Sequence, residues 1–298
     1  TLMGDIPIYV PLDSADFWCR PEQFQVDLHG RPTCVAGCPP DGFSAEGQYW
    51  GNPIYDWDAM EQDGFSWWMR RIAAAGRLFD VIRIDHFRGI ESYWSIPAGS
   101  DSAKNGHWVK GPGKKLVDAI QSRFPHLAFV AEDLGFLTED VLALVKESGF
   151  PGMKVLEFAF DPSEESAYLP HRYPRNCVCY TGTHDNATLP QWCQESDRAV
   201  TDYARTYLHL SQQDDLAQNL LRRGLASKAD LFLAQMQDYL GLGRDARMNE
   251  PGTLKPENWR WRVTSEQLTP TLAHTLRTLA EEAGRLPNYE TQERTVYE

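Results

Sequence analysis

VIRIDHFRG, residues 81–89, combines a short apolar run with a charged end. Its first four residues predict a short buried β-strand, and Asp85 follows the strand directly. Arg83 and Asp85 are two residues apart, so their side chains share one face of an extended chain. In parallel α/β barrels the carboxyl ends of the strands form the active-site face, so this stretch predicts both a strand and a catalytic acid.

On both sides of this stretch, short apolar runs alternate with amphipathic helical patterns along the chain. Amphipathic patterns cover residues 57–76, 114–124 and 138–148, two more lie within 197–224, and a last one begins at Thr269 and Pro270. This rhythm predicts an α/β fold of the (β/α)8 type, a TIM-type barrel. The predicted strands are 6–10, 79–84, 127–131, 153–160, 177–180 and 231–236. They are fewer than the eight that close a barrel, so we expect an incomplete one.

Length and spacing predict how the chain is organised. With 298 residues and 42% hydrophobic content, the chain has material for a single large catalytic domain over residues 1–298. An insertion over residues 18–58 interrupts the alternation, and its Gly/Pro-rich centre is residues 34–51. Ordinary strand-to-helix loops have about 2 to 6 residues. We therefore expect a long irregular loop, or a small subdomain, over the active-site cleft and ahead of the Asp85 strand.

Composition excludes several classes of partner. The formal net charge of −13 repels nucleic-acid phosphates and anionic membrane surfaces. The sequence contains no apolar run of about 18 residues, and residues 1–10 do not resemble a secretory signal. The sequence therefore predicts a cytoplasmic protein that binds neither nucleic acid nor membrane.

The cysteines indicate reduced thiols rather than a disulfide framework or a metal site. Six cysteines in a chain this long are not needed to hold a core together. Cys34, Cys38 and His29 are the candidate zinc ligands of the insertion, and their spacing fits no standard structural site. We expect no metal and no cofactor.

Acids follow three of the predicted strands. Asp85 follows residues 81–84, Glu132 follows 127–131, and Asp185 comes shortly after 177–180. An acid after a strand is also a common N-cap or turn former. Because the carboxyl ends of parallel strands meet on one face, these three acids are expected to converge on one pocket.

The neighbours of the acids predict different roles. Arg83 holds Asp85 ionised, which suits a nucleophile that attacks an anomeric carbon. Burial and the charge of Asp85 both raise the pKa of Glu132, which suits a general acid/base. Asp185 is flanked by His184 and Asn186, and we expect it to accept hydrogen bonds from sugar hydroxyls and so to stabilise the transition state. The apolar neighbours of Glu132 are Val130, Ala131 and Leu134.

At these residues the chain resembles the amylomaltase family, the retaining 4-α-glucanotransferases of the α-amylase clan. RIDHFRG, VAEDLG and GTHDN, around the three acids, are similar to that family's strand-end motifs. GDIPIYVPLDSADFW, residues 4–18, and GCPPDGFSAEGQYWGNPIYDW, residues 37–57, resemble the strand and the loop that border the family's cleft. The resemblance covers about residues 2–263, and the family has further sequence before this point, so it implies that the first barrel strands are absent.

The resemblance also implies which residues bind sugar. Trp50, Asn52 and His86 have simpler explanations as a loop anchor, a turn former and a partner of a backbone carbonyl. Asn249 is expected on the acceptor side. The full set implied is Asp13, Phe43, Gln48, Trp50, Asn52, Arg83, His86, His184 and Asn249.

The function implied is transfer of α-1,4-glucan segments between maltooligosaccharides, starch-type glucans and glucose by double displacement. Its first alternative is an α-glucan hydrolase, and another is a glucan-binding fragment without activity. A magnesium-dependent barrel enzyme is the third, because three strand-end acids also chelate metal. That class needs a strand-end lysine, which residues 6–10 lack, and Arg83 competes with a cation for Asp85.

Overall fold

The structure, a computed structural model, describes residues 1–40, 45–135, 137–164 and 166–286. The chain divides into two compact units, and the second begins at Lys154. No helix in these described ranges is long and apolar enough to cross a membrane.

Strands and helices alternate over much of the described chain. The strands are β1 (Met3–Ile6), β2 (Cys34–Cys38), β3 (Gln48–Pro53), β4 (Val81–Ile84), β5 (Ser92–Pro97), β6 (His107–Lys110), β7 (Ala128–Ala131), β8 (Gly152–Val155), β9 (Cys177–Tyr180) and β10 (Leu231–Leu233). The helices are α1 (Ala15–Cys19), α2 (Trp57–Gln62), α3 (Ser66–Ala75), α4 (Arg88–Glu91), α5 (Lys114–Arg123), α6 (Glu139–Ser148), α7 (Leu189–Glu195), α8 (Arg198–Tyr207), α9 (Leu216–Leu225), α10 (Met236–Tyr239) and α11 (Pro270–Glu282).

A parallel sheet with the order β1-β4-β7 lies in the first unit. Its register pairs Ile6 with Ile84 and Ile84 with Ala131, so the last residues of the three strands are level with one another. Asp85 and Glu132 therefore leave neighbouring strands at the same height. This register is the feature of the fold that brings the two acids together.

An apolar core packs this sheet against the helices of the same unit. The sheet contributes branched side chains, which suit a pleated buried surface, and the helices contribute one apolar face each. Burying one such side chain stabilises a fold by about 1.5–3 kcal/mol. Members of the core with little or no exposed surface are Met60, Trp68, Ile72, Ile82, Ile84, Leu116, Ile120 and Leu144.

The insertion contains regular structure, so the prediction of a long irregular loop is wrong. Strands β2 and β3 belong to a four-stranded antiparallel sheet with the order β3-β2-β5-β6. Gly37 indicated a loop, but it instead allows β2 and β3 to pair closely because glycine has no Cβ. A Cβ at this position would lie 2.2 Å from the Gln48 carbonyl oxygen. Phe43 lies outside the described residues.

The second unit contains β9 and β10, which pair in parallel within a three-stranded sheet of order β10-β9-β8. Helices α7, α8, α9 and α11 contribute apolar side chains to its core. Thr269 caps α11 through a hydrogen bond from the Leu272 N–H at 3.1 Å, as the Thr-Pro sequence predicts. Members of this core include Phe160, Leu189, Leu220, Leu221 and Leu279.

Several helices and strands begin or end at residues other than those predicted from the sequence. The helix predicted over 57–76 is broken between α2 and α3, where Gly64 and Phe65 have φ angles of 71° and 55°. The strand predicted over 6–10 lies at Met3–Ile6, and the one predicted over 153–160 ends at Val155. Helix α6 is confirmed with both its ends, because Thr138 caps it and Gly149 terminates it at φ 68°.

Candidate active site

Asp85 is fixed by an arginine on its own strand. Arg83 Nη2 lies 3.0 Å from Asp85 Oδ1, which confirms the predicted contact between the two side chains. Its Nη1 donates to Asp5 Oδ2 at 2.5 Å, and its Nε donates to Met153 Sδ at 3.2 Å. Arg83 is only 8% exposed, so this buried guanidinium has little freedom to turn away from Asp85.

Asp5 is a site residue that the sequence analysis missed. It pairs in register with Arg83 across β1 and β4, and therefore meets the guanidinium from the neighbouring strand. The signal was present, because a strand placed at Met3–Ile6 has Asp5 in its middle. The predicted strand began one residue after Asp5, which excluded it.

Glu132 lies in a buried environment with two main-chain donors. The residue is 8% exposed. Its Oε2 accepts the His86 N–H at 2.7 Å and its Oε1 accepts the Leu134 N–H at 2.8 Å. Burial, and then the charge of Asp85, raise the pKa of Glu132 to about 7, against the opposing effects of Arg83 and the two N–H groups.

The two carboxyl groups therefore have different surroundings on neighbouring strand ends. Asp85 contacts a cation, and 41% of its side-chain surface is accessible. Glu132 is buried and has a pKa near neutrality. A carboxylate paired with a guanidinium, beside a carboxyl that exchanges its proton near neutral pH, is an arrangement suited to nucleophilic and general acid/base catalysis.

His86 follows Asp85 and lies against Trp50. The ring centroids are 4.8 Å apart in an edge-to-face arrangement. Burial, and then the charge of Arg88, lower the pKa of His86 to about 3, so its imidazole is neutral at neutral pH. Trp50 donates its indole N–H to Gln48 Oε1 at 3.0 Å, which orients the ring. His86, Trp50 and Gln48 thus form one group of contacting side chains.

Asn52 and Asp13 are placed differently from that group. The Asn52 amide donates to the Val10 carbonyl at 3.0 Å and so connects β3 to the segment after β1. Asp13 lies in an exposed turn ahead of α1. In this structure Asn52 has a loop-fixing contact, and Asp13 is surrounded by solvent.

Asp185, His184 and Asn249 come together in the second unit. The Asn249 side-chain amide donates to Asp185 Oδ1 at 2.6 Å. His184 Nε2 lies 3.4 Å from Asp185 Oδ2, and its ring lies 5.0 Å from that of Trp259. The structure therefore places Asn249 on the carboxylate of Asp185, a contact that the sequence analysis did not predict.

Arg247 is the second functional candidate that the sequence analysis missed. Its Nη2 donates to the Asp185 carbonyl at 2.7 Å and its Nε donates to the Asn249 carbonyl at 2.8 Å. One guanidinium thus joins the two loops that carry Asp185 and Asn249. An arginine two residues before a candidate polar residue was the available signal.

Two of the three candidate zinc ligands that the sequence analysis considered, Cys34 and Cys38, lie in strand β2. Within the described ranges, no group of three or more His, Cys, Asp and Glu side chains could hold a metal ion. The Cys34 thiol donates to Gln25 Oε1 at 2.9 Å inside the antiparallel sheet region. Neither Cys34 nor Cys38 belongs to a disulfide in the described part of the chain.

Comparison with known proteins places the chain in a family. The sequence model of the family described as 4-alpha-glucanotransferase matches residues 1–269. The chain belongs to the 4-alpha-glucanotransferase family. This result confirms the resemblance inferred from the strand-end motifs.

Several curated members of the family are similar to the chain. The 4-alpha-glucanotransferase of Streptococcus pneumoniae serotype 4 is 51% identical over 270 residues, which cover 90% of this chain and 53% of that protein. The Thermus thermophilus protein is 46% identical, covering 96% of this chain and 58% of its own length. The chain spans about half the length of the curated relatives it matches.

Solved structures of the family have a similar fold. Amylomaltase from Streptococcus agalactiae in complex with acarbose matches with a TM-score of 0.90 and 37% identity, over 96% of this chain and 58% of that one. Amylomaltase from Corynebacterium glutamicum matches with a TM-score of 0.75 and 21% identity, over 95% of this chain and 46% of that one. These likenesses confirm the α/β class.

Proposed function

We propose that the chain carries the catalytic residues of a retaining 4-α-glucanotransferase that acts on α-1,4-glucans, maltooligosaccharides and glucose. The observation that carries the proposal is the register of β4 and β7. It places an arginine-paired aspartate and a buried glutamic acid at the same height on adjacent strands. Membership of the 4-alpha-glucanotransferase family supports the proposal.

The first half of the reaction forms a covalent intermediate. Asp85 attacks the anomeric carbon of an α-1,4-glucan, and Glu132 gives its proton to the departing 4-oxygen. The bond to the leaving chain breaks as the bond to Asp85 Oδ forms, which inverts the anomeric configuration. Arg83 keeps Asp85 ionised and directed toward the sugar.

The second half transfers the glycosyl group. Glu132, now ionised, removes the proton from the 4-hydroxyl of an acceptor sugar, which attacks the glycosyl ester and releases Asp85. The second inversion restores the α configuration. A pKa of about 7 allows Glu132 to act as acid and then as base near neutral pH.

The remaining acid stabilises the transition state in this proposal. Asp185 accepts hydrogen bonds from sugar hydroxyls as the ring flattens toward an oxocarbenium ion. Asn249 and His184 lie against its carboxylate and hold it in place. The proposed substrate-binding residues are Asp13, Phe43, Gln48, Trp50, Asn52, Arg83, His86, His184 and Asn249.

The proposed architecture is a TIM-type barrel. The parallel pairing of β1, β4 and β7, and that of β9 with β10, supports it. The acids directly after β4 and β7 are at the barrel end where such enzymes act. We further propose a cytoplasmic protein.

The test is disproportionation of maltotriose by the purified protein and its D85N variant. The wild-type protein is expected to produce longer oligosaccharides together with glucose, and D85N is expected to lose at least about a thousandfold in kcat, because the nucleophile is removed. The matched control is D80N. Asp80 is an exposed aspartate at the other end of β4 that accepts the Leu2 N–H at 2.8 Å.

Two results would contradict the proposal. A wild-type rate in D85N would exclude Asp85 as the nucleophile. Products that are all shorter than maltotriose would indicate a hydrolase instead of a transferase, since only transfer lengthens a chain. The D80N control is expected to retain the wild-type rate and product pattern.

A further inference from the structure

We infer that His86 is a positioning residue through its main chain: a left-handed backbone turn at His86 directs its N–H onto the side chain of Glu132. This inference rests on the proposed function only in naming Glu132 as the acid/base. The hydrogen bond from His86 N to Glu132 Oε2 is 2.7 Å long. It is separate from any contact that the imidazole makes with a sugar.

The residues at the carboxyl end of β4 form three hydrogen bonds with Glu132. The Glu132 N–H donates to the Ile84 carbonyl at 3.1 Å, and the Phe87 N–H donates to the Glu132 carbonyl at 3.1 Å. The His86 N–H is the third contact and the one that reaches the side chain. Two successive N–H groups, of His86 and Phe87, therefore point toward the same residue of the next strand.

This convergence depends on an uncommon backbone conformation. His86 has a φ angle of 49°, in the left-handed region that most residues other than glycine avoid. Histidine, asparagine and aspartate tolerate this region better than β-branched residues do. Such conformations persist where the surrounding structure fixes them, and they concentrate at functional sites.

The imidazole has its own separate environment. Its ring packs edge-to-face on Trp50, and its buried Nε2 has no hydrogen-bond partner among the described residues. A Cβ at Gly89 would lie 3.0 Å from His86 Cδ2, so the ring also packs closely on α4. Since the ring makes no bond to Glu132 in this structure, substitutions can remove it and leave the main-chain contact intact.

Charged groups near Glu132 affect its pKa together with the His86 N–H. Asp85 and Arg83 face it from β4, and Asp5 acts on it through Arg83. The next residue in the chain, Asp133, is turned away to accept the Met153 N–H at 2.6 Å. An N–H donated to a carboxylate stabilises its ionised form, so loss of the His86 bond makes Glu132 harder to ionise.

The experiment compares H86N with H86T. The two side chains are similar in size and both polar, but asparagine tolerates a left-handed backbone and threonine does not. The ionisation of Glu132 is followed by NMR titration of protein labelled with ¹³C at glutamate carboxyls. The resonance of Glu132 is assigned by its absence in E132Q.

H86N is expected to titrate at the wild-type midpoint, and H86T is expected to titrate higher by roughly one pH unit, because the N–H bond is lost. If H86T does not fold, H86G and H86A provide a milder form of the same contrast. Equal midpoints within the matched pair would overturn the inference, whether both are unchanged or both are moved.

The titration needs no turnover, so it separates this inference from the proposed function. A midpoint that moves only in H86T, in a protein that does not disproportionate maltotriose, supports the positioning role and contradicts the transferase. If the protein disproportionates maltotriose and the two variants have equal midpoints, the transferase is supported and the positioning role is contradicted. In active protein, the alkaline limb of the kcat profile is expected to follow the titration midpoint.

Discussion

At the scale of single residues, the site depends on two carboxyl groups that differ in their contacts rather than in their chemistry. Asp85 lies 3.0 Å from a guanidinium nitrogen, whereas Glu132 accepts two main-chain N–H groups in a buried position. Burial raises the pKa of Glu132 far enough that the N–H groups lower it only partly. The contrast between the two environments is what assigns one acid to attack and the other to proton transfer.

Asn249 gives a residue-scale prediction, because the structure and the family resemblance suggest different roles for it. Its amide donates to Asp185 Oδ1 at 2.6 Å, so N249A is expected to lower kcat roughly tenfold, equal to about 1.4 kcal/mol, with little change in KM. Steady-state kinetics with maltotriose as donor and glucose as acceptor measure both constants. A rise in the KM for glucose at unchanged kcat would instead support the acceptor-side role.

At the scale of elements, the parallel sheet connects Asp5 to the nucleophile. Asp5 on β1 and Asp85 after β4 contact different nitrogens of the same Arg83 guanidinium. D5N is expected to lower kcat roughly tenfold, because Arg83 loses a charged partner and can rotate away from Asp85. The reaction is measured with maltotriose at saturating concentration.

The control for D5N is D80N, at the opposite end of β4. Each substitution removes one negative charge close to the same sheet. Of the two substituted residues, Asp5 contacts Arg83 and Asp80 does not. Equal losses of activity in the two variants would assign the effect to net charge. A loss confined to D5N supports the contact through the guanidinium.

Elements with strong local patterns were predictable from the sequence. The acids at 85 and 132 follow β4 and β7 as expected, because a buried apolar run that ends in charge is a clear strand signal. The antiparallel sheet was missed because Gly37 and the nearby prolines indicate a loop, and the close approach of β2 and β3 is visible only in three dimensions. Likewise, the break before α3 depends on a left-handed Phe65, which local propensity does not predict.

Contacts between distant segments could not be predicted at all. Arg247 and Asp185 are 62 residues apart, and their hydrogen bond depends on how two loops pack. The partner of Glu132 at His86 is a main-chain N–H, which every residue except proline carries, so no residue type identifies it. The sequence therefore predicted the acids and the contact of Arg83 with Asp85, but not the contacts that reach the acids from other segments.

At the scale of the whole molecule, a catalytic acid in a buried position reduces stability at neutral pH. The pKa of Glu132 is about 7 in the folded protein, against an ordinary value of 4.5. As pH rises between these values, the unfolded chain releases this proton while the folded chain retains it. The contribution of Glu132 to the free energy of unfolding is therefore fully present below the pKa of the unfolded chain. It is lost as pH rises through the pKa of the folded protein.

E132Q removes this titration and tests its effect on folding. Between about pH 4 and pH 8, the free energy of unfolding of E132Q is expected to rise by about 3 kcal/mol relative to wild type. Gln also places an NH₂ group against one of two N–H donors, which adds a constant cost. The change with pH is thus the quantity to measure, by urea denaturation at a series of pH values.

The matched control is E147Q, on the exposed surface of α6. Its side chain is in water in both the folded and the unfolded chain, so its curve is expected to run parallel to that of wild type. If the E132Q and wild-type curves also run parallel, Glu132 ionises at the same pH in both states. Its environment would then be open to water, and a role as general acid near neutral pH would lose its physical basis.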